Sequence, residues 1–455
     1  MALHGGTPGA RADIALRPQL VGEGDVAEVP RYRMPEQGMD AEAAYYVVHD
    51  ELMLDGNPRL NLATFVTTWM EPQARLLMDE CLDRNIVDKD EYPQSAELEE
   101  RCVRMLADLW RSPEEESPTG CSATGSSEGC MLGGMALLRR WRAGGGSGQP
   151  NLVMGANVQV CWEKFCRYWD VEPRMVPVSR EHTHLTAEGA VAHCDENTIG
   201  VVAILGSTFD GVYEPVKDIA DALDELESSR GVDVPIHVDA ASGGFIAPFL
   251  DPDLEWDFRV RRVHSINASG HKYGHVYPGI GWVVWRDTAS LPEDLVFHVD
   301  YLGGDMPTFA LNFSRPGAQV AAQYFNLIRL GRDGYTRVQQ ACRDNARWLA
   351  EQIAALDPFE LVSDGSGIPA FAFRLRDGVD GYSVYDVSEV LRGRGWLVPA
   401  YRMPKDIDDM SVLRIVVRTG FSRDLAEILM TDLKRAIEGL EKRGGFAEER
   451  PAFHH

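Results

Sequence analysis

The stretch TIGVVAILGSTFDGVYEPVKDIADALDELESSRGVDVPIHVDAA, residues 198–241, contains the pattern that decides the fold. It opens with an apolar run, residues 198–208, that predicts a buried strand ending in small polar residues. Residues 216–230 predict an amphipathic helix whose apolar face carries Val216, Ile219, Ala220, Leu223 and Leu226. Residues 234–241 predict a second buried strand, so the stretch indicates an α/β domain built on a mostly parallel sheet.

The segments that follow continue and then change this pattern. Residues 262–269 and 279–286 predict a third and a fourth strand of the same sheet. A long helical stretch covers residues 317–356, and strands are predicted at 371–377 and 411–418 with helices between and after them. The helical stretch and the strands after it therefore predict a smaller α+β domain at the C-terminal end.

Three parts of the chain follow from these patterns. Residues 1–55 are polar, contain many Gly and Pro, and predict an N-terminal arm with short helical pieces. Residues 56–320 predict the large domain, and residues 321–455 the small C-terminal domain.

Composition excludes some classes of partner. The 455 residues carry a net charge of −25, so nucleic acid and anionic membranes would be repelled. No apolar run approaches the roughly 20 residues that span a bilayer, and no secretory signal is evident near the N-terminus. The eight Cys form no CxxC pair, which favours reduced thiols and a cytoplasmic location.

Polar residues follow the predicted strands where each strand ends. Thr208 follows the first and Asp239 the second, while SINASGHKYG, residues 265–274, ends the third with His271 and Lys272. Ligands of open parallel sheets bind at this edge. Upstream, Gly125, Ser126 and Ser127 form a loop that opens a helix, and such a helix N-terminus can bind phosphate.

Together these residues provide what pyridoxal 5′-phosphate (PLP) needs. Its phosphate needs a cradle, its pyridine nitrogen needs a carboxylate that keeps it protonated, and its aldehyde needs a Lys. Taken singly, the Ser residues could be an N-cap, the Asp a turn residue and the Lys a surface charge. Their order along the chain is that of fold-type I PLP-dependent enzymes, and this order carries the prediction.

Longer motifs resemble a known family. HVDAASGGFIAPF and SINASGHKYG resemble the signature of group II PLP-dependent decarboxylases. NLATFVTTWMEP, NIVDKDEYPQSAELEERCV, NVQVCWEKFCRYWDVE, HVDYLGGDMPTFALNFSRP and LRIVVR are similar to the members of that family that act on glutamate. The resemblance covers roughly residues 40–440.

The resemblance implies roles for residues around the cofactor. Lys272 would hold PLP as the internal aldimine, and Asp239 would pair with the pyridinium nitrogen. The phosphate would be bound by Ser126, Ser127 and His271. Thr208 would contact the ring oxygen or Asp239, and Gln159 would lie over the ring, where many relatives have a His.

The same resemblance implies how the substrate would be bound. The pocket for the distal carboxylate would contain Thr64, Phe65, Asn85 and Asp88. Arg418 would bind the α-carboxylate, for which a guanidinium fork is suited. The alternative for Arg418 is a structural ion pair. Tyr301 would protonate Cα of the quinonoid intermediate, and its alternative is a loop anchor at an interface.

The implied reaction is the α-decarboxylation of L-glutamate to 4-aminobutanoate (GABA) and CO2. A homodimer is the minimum assembly implied, with Tyr301 and the loop Phe313–Pro316 reaching into the neighbouring site, and a hexamer is left open. Two other hypotheses remain. One keeps PLP but changes the substrate or reaction to an aspartate or aromatic decarboxylase or a retro-aldol lyase, and the other is a non-catalytic scaffold or cofactor carrier.

Remaining motifs add little. His454 and His455 could regulate the site at neutral pH or belong to a disordered tail. The C-terminal residues lack the Trp-containing basic extension of plant members, so no calmodulin control is expected. The HTH at 182–184 has no third ligand nearby, and no metal is expected. No P-loop and no GxGxxG between strand and helix is present, and Glu163 stands where some bacterial relatives have His.

Overall fold

A computed structural model describes residues 32–87, 89–113, 118–299 and 306–445. The chain divides into two units, Met1–Gly56 and Asn57–His455. The described part of the first unit contains helix α1 (Ala41–Leu52), in the predicted helical piece of the arm. Asp40 begins this helix, because its carboxylate accepts hydrogen bonds from the backbone N–H groups of Glu42 and Ala43.

The second unit contains a seven-stranded sheet. Its strands are β1 (Thr119–Ala123), β2 (Asn151–Gly155), β3 (Glu172–Val176), β4 (Thr198–Ile204), β5 (Ile236–Asp239), β6 (Val263–Ala268) and β7 (Gly281–Trp285). Their order is β1-β7-β6-β5-β4-β2-β3. The five neighbours from β3 to β6 are parallel, while β7 is antiparallel to both β6 and β1. The prediction of a mostly parallel α/β sheet is confirmed.

Helices flank this sheet. They are α2 (Pro72–Glu80), α3 (Pro93–Leu109), α4 (Ser126–Ala143), α5 (Val160–Tyr168), α6 (Ala187–Ala192), α7 (Val216–Arg230) and α8 (Ala247–Leu250). Helix α7 has the predicted bounds and buries the five predicted apolar residues. Each buried Leu or Ile contributes about 1.5–3 kcal/mol relative to an exposed one. The helix ends at Gly231, whose φ of 72° is in the left-handed region.

A second, antiparallel sheet follows in the chain. Helix α9 (Ala318–Ala354) leads to β10 (Phe359–Leu361), β11 (Ala370–Leu375), β12 (Ala400–Arg402) and β13 (Ser411–Val416), in the order β10-β11-β13-β12. Helices α10 (Val384–Arg392) and α11 (Arg423–Arg443) complete this part, and β8 (Phe297–Val299) pairs with β9 (Met306–Thr308). The predicted continuous helix is interrupted at Gly331, which has φ 58° and ψ −174°. Domain boundaries at residues 55 and 320 stay predictions.

One edge of the large sheet brings the predicted site residues together. Ile204, Asp239 and Asn267 lie side by side in the register of β4, β5 and β6. The first predicted strand ends at Ile204 rather than at residue 208, because Gly206 adopts a left-handed φ of 98° and turns the chain. Thr208 therefore lies in a loop. None of the described helices has both the length and the apolar composition needed to cross a bilayer.

Candidate active site

Asp239 is a buried carboxylate surrounded by donors. It is the last residue of β5 and only 4% exposed. Trp162 Nε1–H donates to Oδ2 over 2.9 Å, and Asn267 Nδ2–H donates to Oδ1 over 3.1 Å. The backbone N–H of Ala241 also donates to Oδ1, and the Cys130 thiol contacts Oδ2 at 3.5 Å. These donors offset the cost of burying the carboxylate and fix its orientation.

A second layer of hydrogen bonds fixes Asn267. Its Oδ1 lies 2.7 Å from His237 Nε2, and His237 Nδ1 lies 2.7 Å from the Ser265 hydroxyl. Burial lowers the pKa of His237, so the ring is neutral near neutral pH. Helix α4 can approach this ring because residue 133 is Gly, where a Cβ would lie 2.4 Å from the imidazole. Helix and sheet packing thus set the position of Asp239.

Lys272 follows β6 in a turn, and its Nζ lies 3.3 Å from the Ser242 hydroxyl. The amine is also 5.3 Å from the centre of the Phe65 ring. Burial lowers the pKa of Lys272, and the charge of Arg414 lowers it further, whereas Asp239, Cys161 and Cys130 raise it. A neutral amine is the nucleophilic form, so this environment suits covalent bonding to an aldehyde.

The loop Gly125–Ser127 lies against the turn that carries the lysine. Ser269 Oγ–H donates to Ser126 Oγ over 2.7 Å, which joins the start of α4 to the end of β6. A Cβ at Gly125 would lie 3.0 Å from the His271 ring, so a larger residue would require the ring to move by a few tenths of an ångström. Burial lowers the pKa of His271 to about 4, and its Nδ1 is buried without a hydrogen-bond partner in the described residues.

These groups fit PLP. A buried imidazole nitrogen without a partner, beside an uncapped helix N-terminus that carries Ser126 and the exposed Ser127, suits a phosphate. Asp239 suits a pyridinium nitrogen, and Lys272 suits the aldehyde. The donor set therefore matches the phosphate, ring and aldehyde of one molecule.

The segment 61–68, which we call the strap, connects the lysine turn to the small sheet. Thr67 N–H donates to the His271 carbonyl over 2.7 Å, and Thr67 Oγ–H donates to the Lys272 carbonyl over 2.6 Å. At its other end Leu62 accepts from the Val416 N–H at the end of β13. Within the strap, the Thr64 hydroxyl accepts from the Val66 N–H. The strap therefore presents Phe65 to Lys272.

Two buried arginines lie beside the strap. Arg414 Nη1 and Nη2 donate to the carbonyls of Thr208 and Ala63, and its guanidinium lies 4.7 Å from the centre of the Phe65 ring. Arg418 donates to the Val66 carbonyl over 3.0 Å, to the Thr68 hydroxyl over 2.7 Å and to the Asn61 carbonyl.

These arginines share an unusual environment. Arg414 is 9% exposed and Arg418 6%. Among the described residues, the hydrogen bonds of both guanidinium groups go to carbonyl and hydroxyl oxygens and none goes to a carboxylate, and each Nε is buried without a hydrogen-bond partner. Burial lowers the pKa of Arg418. Two buried positive charges without a protein carboxylate suit an anionic ligand.

The remaining predicted residues lie in different places. Asn85 Nδ2–H donates to the Ser314 hydroxyl over 3.3 Å, and Asn85 Oδ1 accepts from the Arg315 N–H. These hydrogen-bond partners of Asn85 thus belong to the loop Phe313–Pro316 and not to the strap. Gln159 is exposed and begins α5, where its Oε1 accepts from the Cys161 N–H over 2.6 Å. Asp88, Tyr301, His454 and His455 lie outside the described residues.

Sequence reasoning missed several residues of this site. They are Cys130, Trp162, His237, Ser242, Asn267 and Arg414. The motif SINAS carries a signal for one of them, because Ser265, Asn267 and Ser269 alternate on one face of a strand. Glu128 was also missed, although it accepts from Thr124 and from the backbone N–H groups of Leu311 and Asn312.

The fold and the site together define a fold-type I PLP-dependent enzyme. The family model described as the pyridoxal-dependent decarboxylase conserved domain matches residues 30–376. The chain therefore belongs to the pyridoxal-dependent decarboxylase family, and PLP is its cofactor.

Individual relatives of known name support this family assignment. The chain is 55% identical over 438 residues to a glutamate decarboxylase of Aliivibrio fischeri, covering 94% of each chain. It is 52% identical to a glutamate decarboxylase of Arabidopsis thaliana, covering 92% of this chain and 86% of the relative. The solved structure of a Lactobacillus brevis glutamate decarboxylase superposes with a TM-score of 0.89 at 45% identity, covering 92% of this chain and 97% of that one.

Proposed function

We propose that this chain catalyses the α-decarboxylation of L-glutamate, giving 4-aminobutanoate and CO2. Relatives at 45–55% identity that cover more than nine-tenths of this chain carry the name glutamate decarboxylase. The observation that carries the chemistry is the buried Asp239, held by three N–H donors one strand away from the turn that bears Lys272.

PLP, when bound, supplies an electron sink for the bond that breaks at Cα. Asp239 holds a proton on the pyridine nitrogen, and Trp162 and Asn267 keep that carboxylate in place. Ser126, Ser127 and His271 bind the phosphate, while Lys272 forms the covalent attachment. Thr208 and Gln159 are proposed as contacts of the ring, Thr208 from the loop after β4 and Gln159 from the start of α5.

For the substrate, Arg418 is proposed to bind the α-carboxylate. Its two terminal nitrogens already donate to the strap, and its Nε is the donor without a partner. Thr64, Phe65, Asn85 and Asp88 are proposed to bind the distal carboxylate, and Tyr301 to deliver a proton to Cα. The phenyl ring of Phe65, packed between Arg414 and Lys272, would exclude water from the reacting centre.

Assembly and location are part of the proposal. We propose a homodimer as the minimum unit, with Tyr301 and the loop Phe313–Pro316 completing the neighbouring site, and a cytoplasmic enzyme. Within one chain Asn85 contacts Ser314 and Arg315, so Asn85 and that loop would reach the neighbouring site together. Sedimentation of an active monomer would contradict the proposed homodimer.

A product assay tests the reaction. Purified protein with added PLP is given an equimolar mixture of glutamate, aspartate, tyrosine, tryptophan and lysine, and the amines formed are read by mass spectrometry at mildly acid and neutral pH. We expect 4-aminobutanoate alone. Another amine would keep Lys272 and Asp239 in their roles but overturn the substrate, and no amine at all would favour a non-catalytic scaffold.

A further inference from the structure

Ser242 carries a buried hydroxyl whose one polar partner, in the part of the chain that the structure describes, is the side chain of Lys272. It lies three residues after Asp239 and is 2% exposed. Its Oγ lies 3.3 Å from Lys272 Nζ, and this is the side-chain hydrogen bond that the structure gives to the amine. Burying a hydroxyl next to a buried amine costs free energy unless the two groups form a hydrogen bond.

Both ends of this contact are held by the backbone. On the serine side, the Gly243 N–H donates to the Leu205 carbonyl over 2.8 Å, and the Ala241 N–H donates to Asp239. On the lysine side, Lys272 N–H donates to the Ser269 carbonyl, and its own carbonyl accepts from Thr67. Two fixed segments therefore set the backbone positions from which Oγ and Nζ reach each other.

We propose that Ser242 is a positioning residue that holds the free amine of Lys272 ready to bond to the cofactor aldehyde. In a neutral amine, one N–H donates to Ser242 Oγ and the nitrogen lone pair is left for the aldehyde carbon. Bond formation joins Nζ to that carbon and expels the carbonyl oxygen as one water, whose two hydrogens come from Nζ. The same contact would hold the amine each time the substrate amine displaces it.

The charges that face Lys272 make a clear prediction about its titration. Asp239, Cys130 and Cys161 raise its pKa, whereas burial and Arg414 lower it. His271 is its neighbour in sequence and is neutral near neutral pH, because burial lowers the pKa of that ring. Ser242 adds a neutral acceptor, which stabilises the ammonium form more than the amine, since donors that carry a charge form the stronger hydrogen bonds.

Removing the hydroxyl should therefore move two quantities in defined directions. In Ser242→Ala the pKa of Lys272 should fall by roughly half a unit to one unit. The limiting rate at high pH, where the amine is neutral in both proteins, should fall about threefold to tenfold because orientation is lost. A loosened site would instead admit water and raise this pKa towards the ordinary value of a lysine.

The experiment uses apoenzyme and needs no substrate. The rate of PLP incorporation is followed by the visible absorbance that the cofactor gains on bonding to a lysine, across the pH range, for wild type and Ser242→Ala. Ionisations of PLP itself cancel in the comparison. Ser242→Thr keeps the hydroxyl and should restore the wild-type midpoint, and Ser290→Ala, a buried serine that contacts His264, should change neither quantity.

A midpoint that stays or rises in Ser242→Ala overturns the inference. If that variant does not fold, Ser242→Cys, with a weaker acceptor, should show a smaller shift in the same direction. The inference rests on Lys272 being the attachment residue of the proposed function, and borohydride reduction with peptide mass mapping checks this separately. If the cofactor is found on another lysine, the assignment of Lys272 as attachment residue and the inference about Ser242 are both overturned. If the product assay gives no 4-aminobutanoate, the comparison of Ser242 variants still stands.

Discussion

Asp239, the last residue of β5, and Arg418, two residues after the end of β13, are both buried charged residues, but their partners differ. Asp239 is held by the side chains of Trp162 and Asn267, which belong to the packed core of the large sheet. Arg418 is held by backbone carbonyls and one hydroxyl of the strap. The end of the site that would hold the cofactor ring is therefore built by core packing, and the end that would hold the substrate is built by docking one loop segment.

This difference predicts that changes at the two ends will have different consequences. At Asp239 the surroundings stay folded when the carboxylate is altered, so chemistry should be lost alone. At Arg418 the strap loses its partners, so chemistry and local stability should change together.

The largest effect is expected for Asp239→Asn. Loss of the carboxylate removes the group proposed to hold a proton on the ring nitrogen, and decarboxylation should fall by about a thousandfold. The thermal midpoint should fall only slightly, because the amide nitrogen of Asn leaves an N–H donor without an acceptor while the cost of a buried charge is removed. Steady-state kinetics and a thermal melt measure both, and Asp221→Asn, on the exposed face of α7, is the matched control. Activity of Asp239→Asn within tenfold of wild type would contradict the proposed role of Asp239.

Arg418→Lys should cost about a hundredfold in kcat/KM, since one ammonium cannot replace a fork that donates to three oxygens. The thermal midpoint should also fall, because strap carbonyls lose their donors. Arg374→Lys on β11 is the control, as its ion pairs with Glu360 and Asp377 are partly exposed. Lost activity with an unchanged melt would show that the strap is held by other contacts.

Trp162→Phe tests how Asp239 is held at the end of the site that would bind the cofactor ring. It keeps an aromatic ring beside His237 but removes the N–H that donates to Asp239. A lost hydrogen bond to a charged group predicts a fall of about tenfold in kcat, with KM for glutamate nearly unchanged. A change confined to KM would place Trp162 at the substrate end instead.

The last prediction concerns the pH dependence of stability and a buried histidine next to Arg418. His275 lies 3.1 Å from Thr419 Oγ1, next to Arg418, and also contacts Gln339 at 3.1 Å. Burial lowers its pKa to about 4, whereas the unfolded chain has the ordinary value near 6.5. The unfolded state therefore binds the extra proton between these values, and stability must fall as pH is lowered from 6.5 towards 4.

Replacing His275 by Gln should remove the contribution of one proton to the pH dependence of the free energy of unfolding. The slope should then fall by about 1.4 kcal/mol per pH unit in the window between 4 and 6.5. Denaturant unfolding of the apoenzyme at several pH values measures the slope. His264 also has a pKa lowered to about 4 by burial, and it provides a comparison away from the strap. An unchanged slope in His275→Gln would show that this ring is charged in the folded state.

Much of the site could be predicted from local sequence because its parts follow strands. The pattern of residues 198–241 fixed the class of sheet, and the bounds of α7 were predicted to the residue, because helical periodicity is a local property. Ser126, Asp239, His271 and Lys272 were identified by their place at strand and helix ends. The structure brings all four to one edge of the sheet.

Other features depend on contacts between distant residues. The donors around Asp239 lie 28, 77 and 109 positions away in sequence, at Asn267, Trp162 and Cys130. The partners of Arg418 in the strap lie 350 to 357 positions away. Sequence by itself determined the elements, their order and the residue types that PLP chemistry needs. Only the tertiary structure decided which side chains surround each charge, because burial and hydrogen bonding are settled by packing between elements and not by periodicity within one.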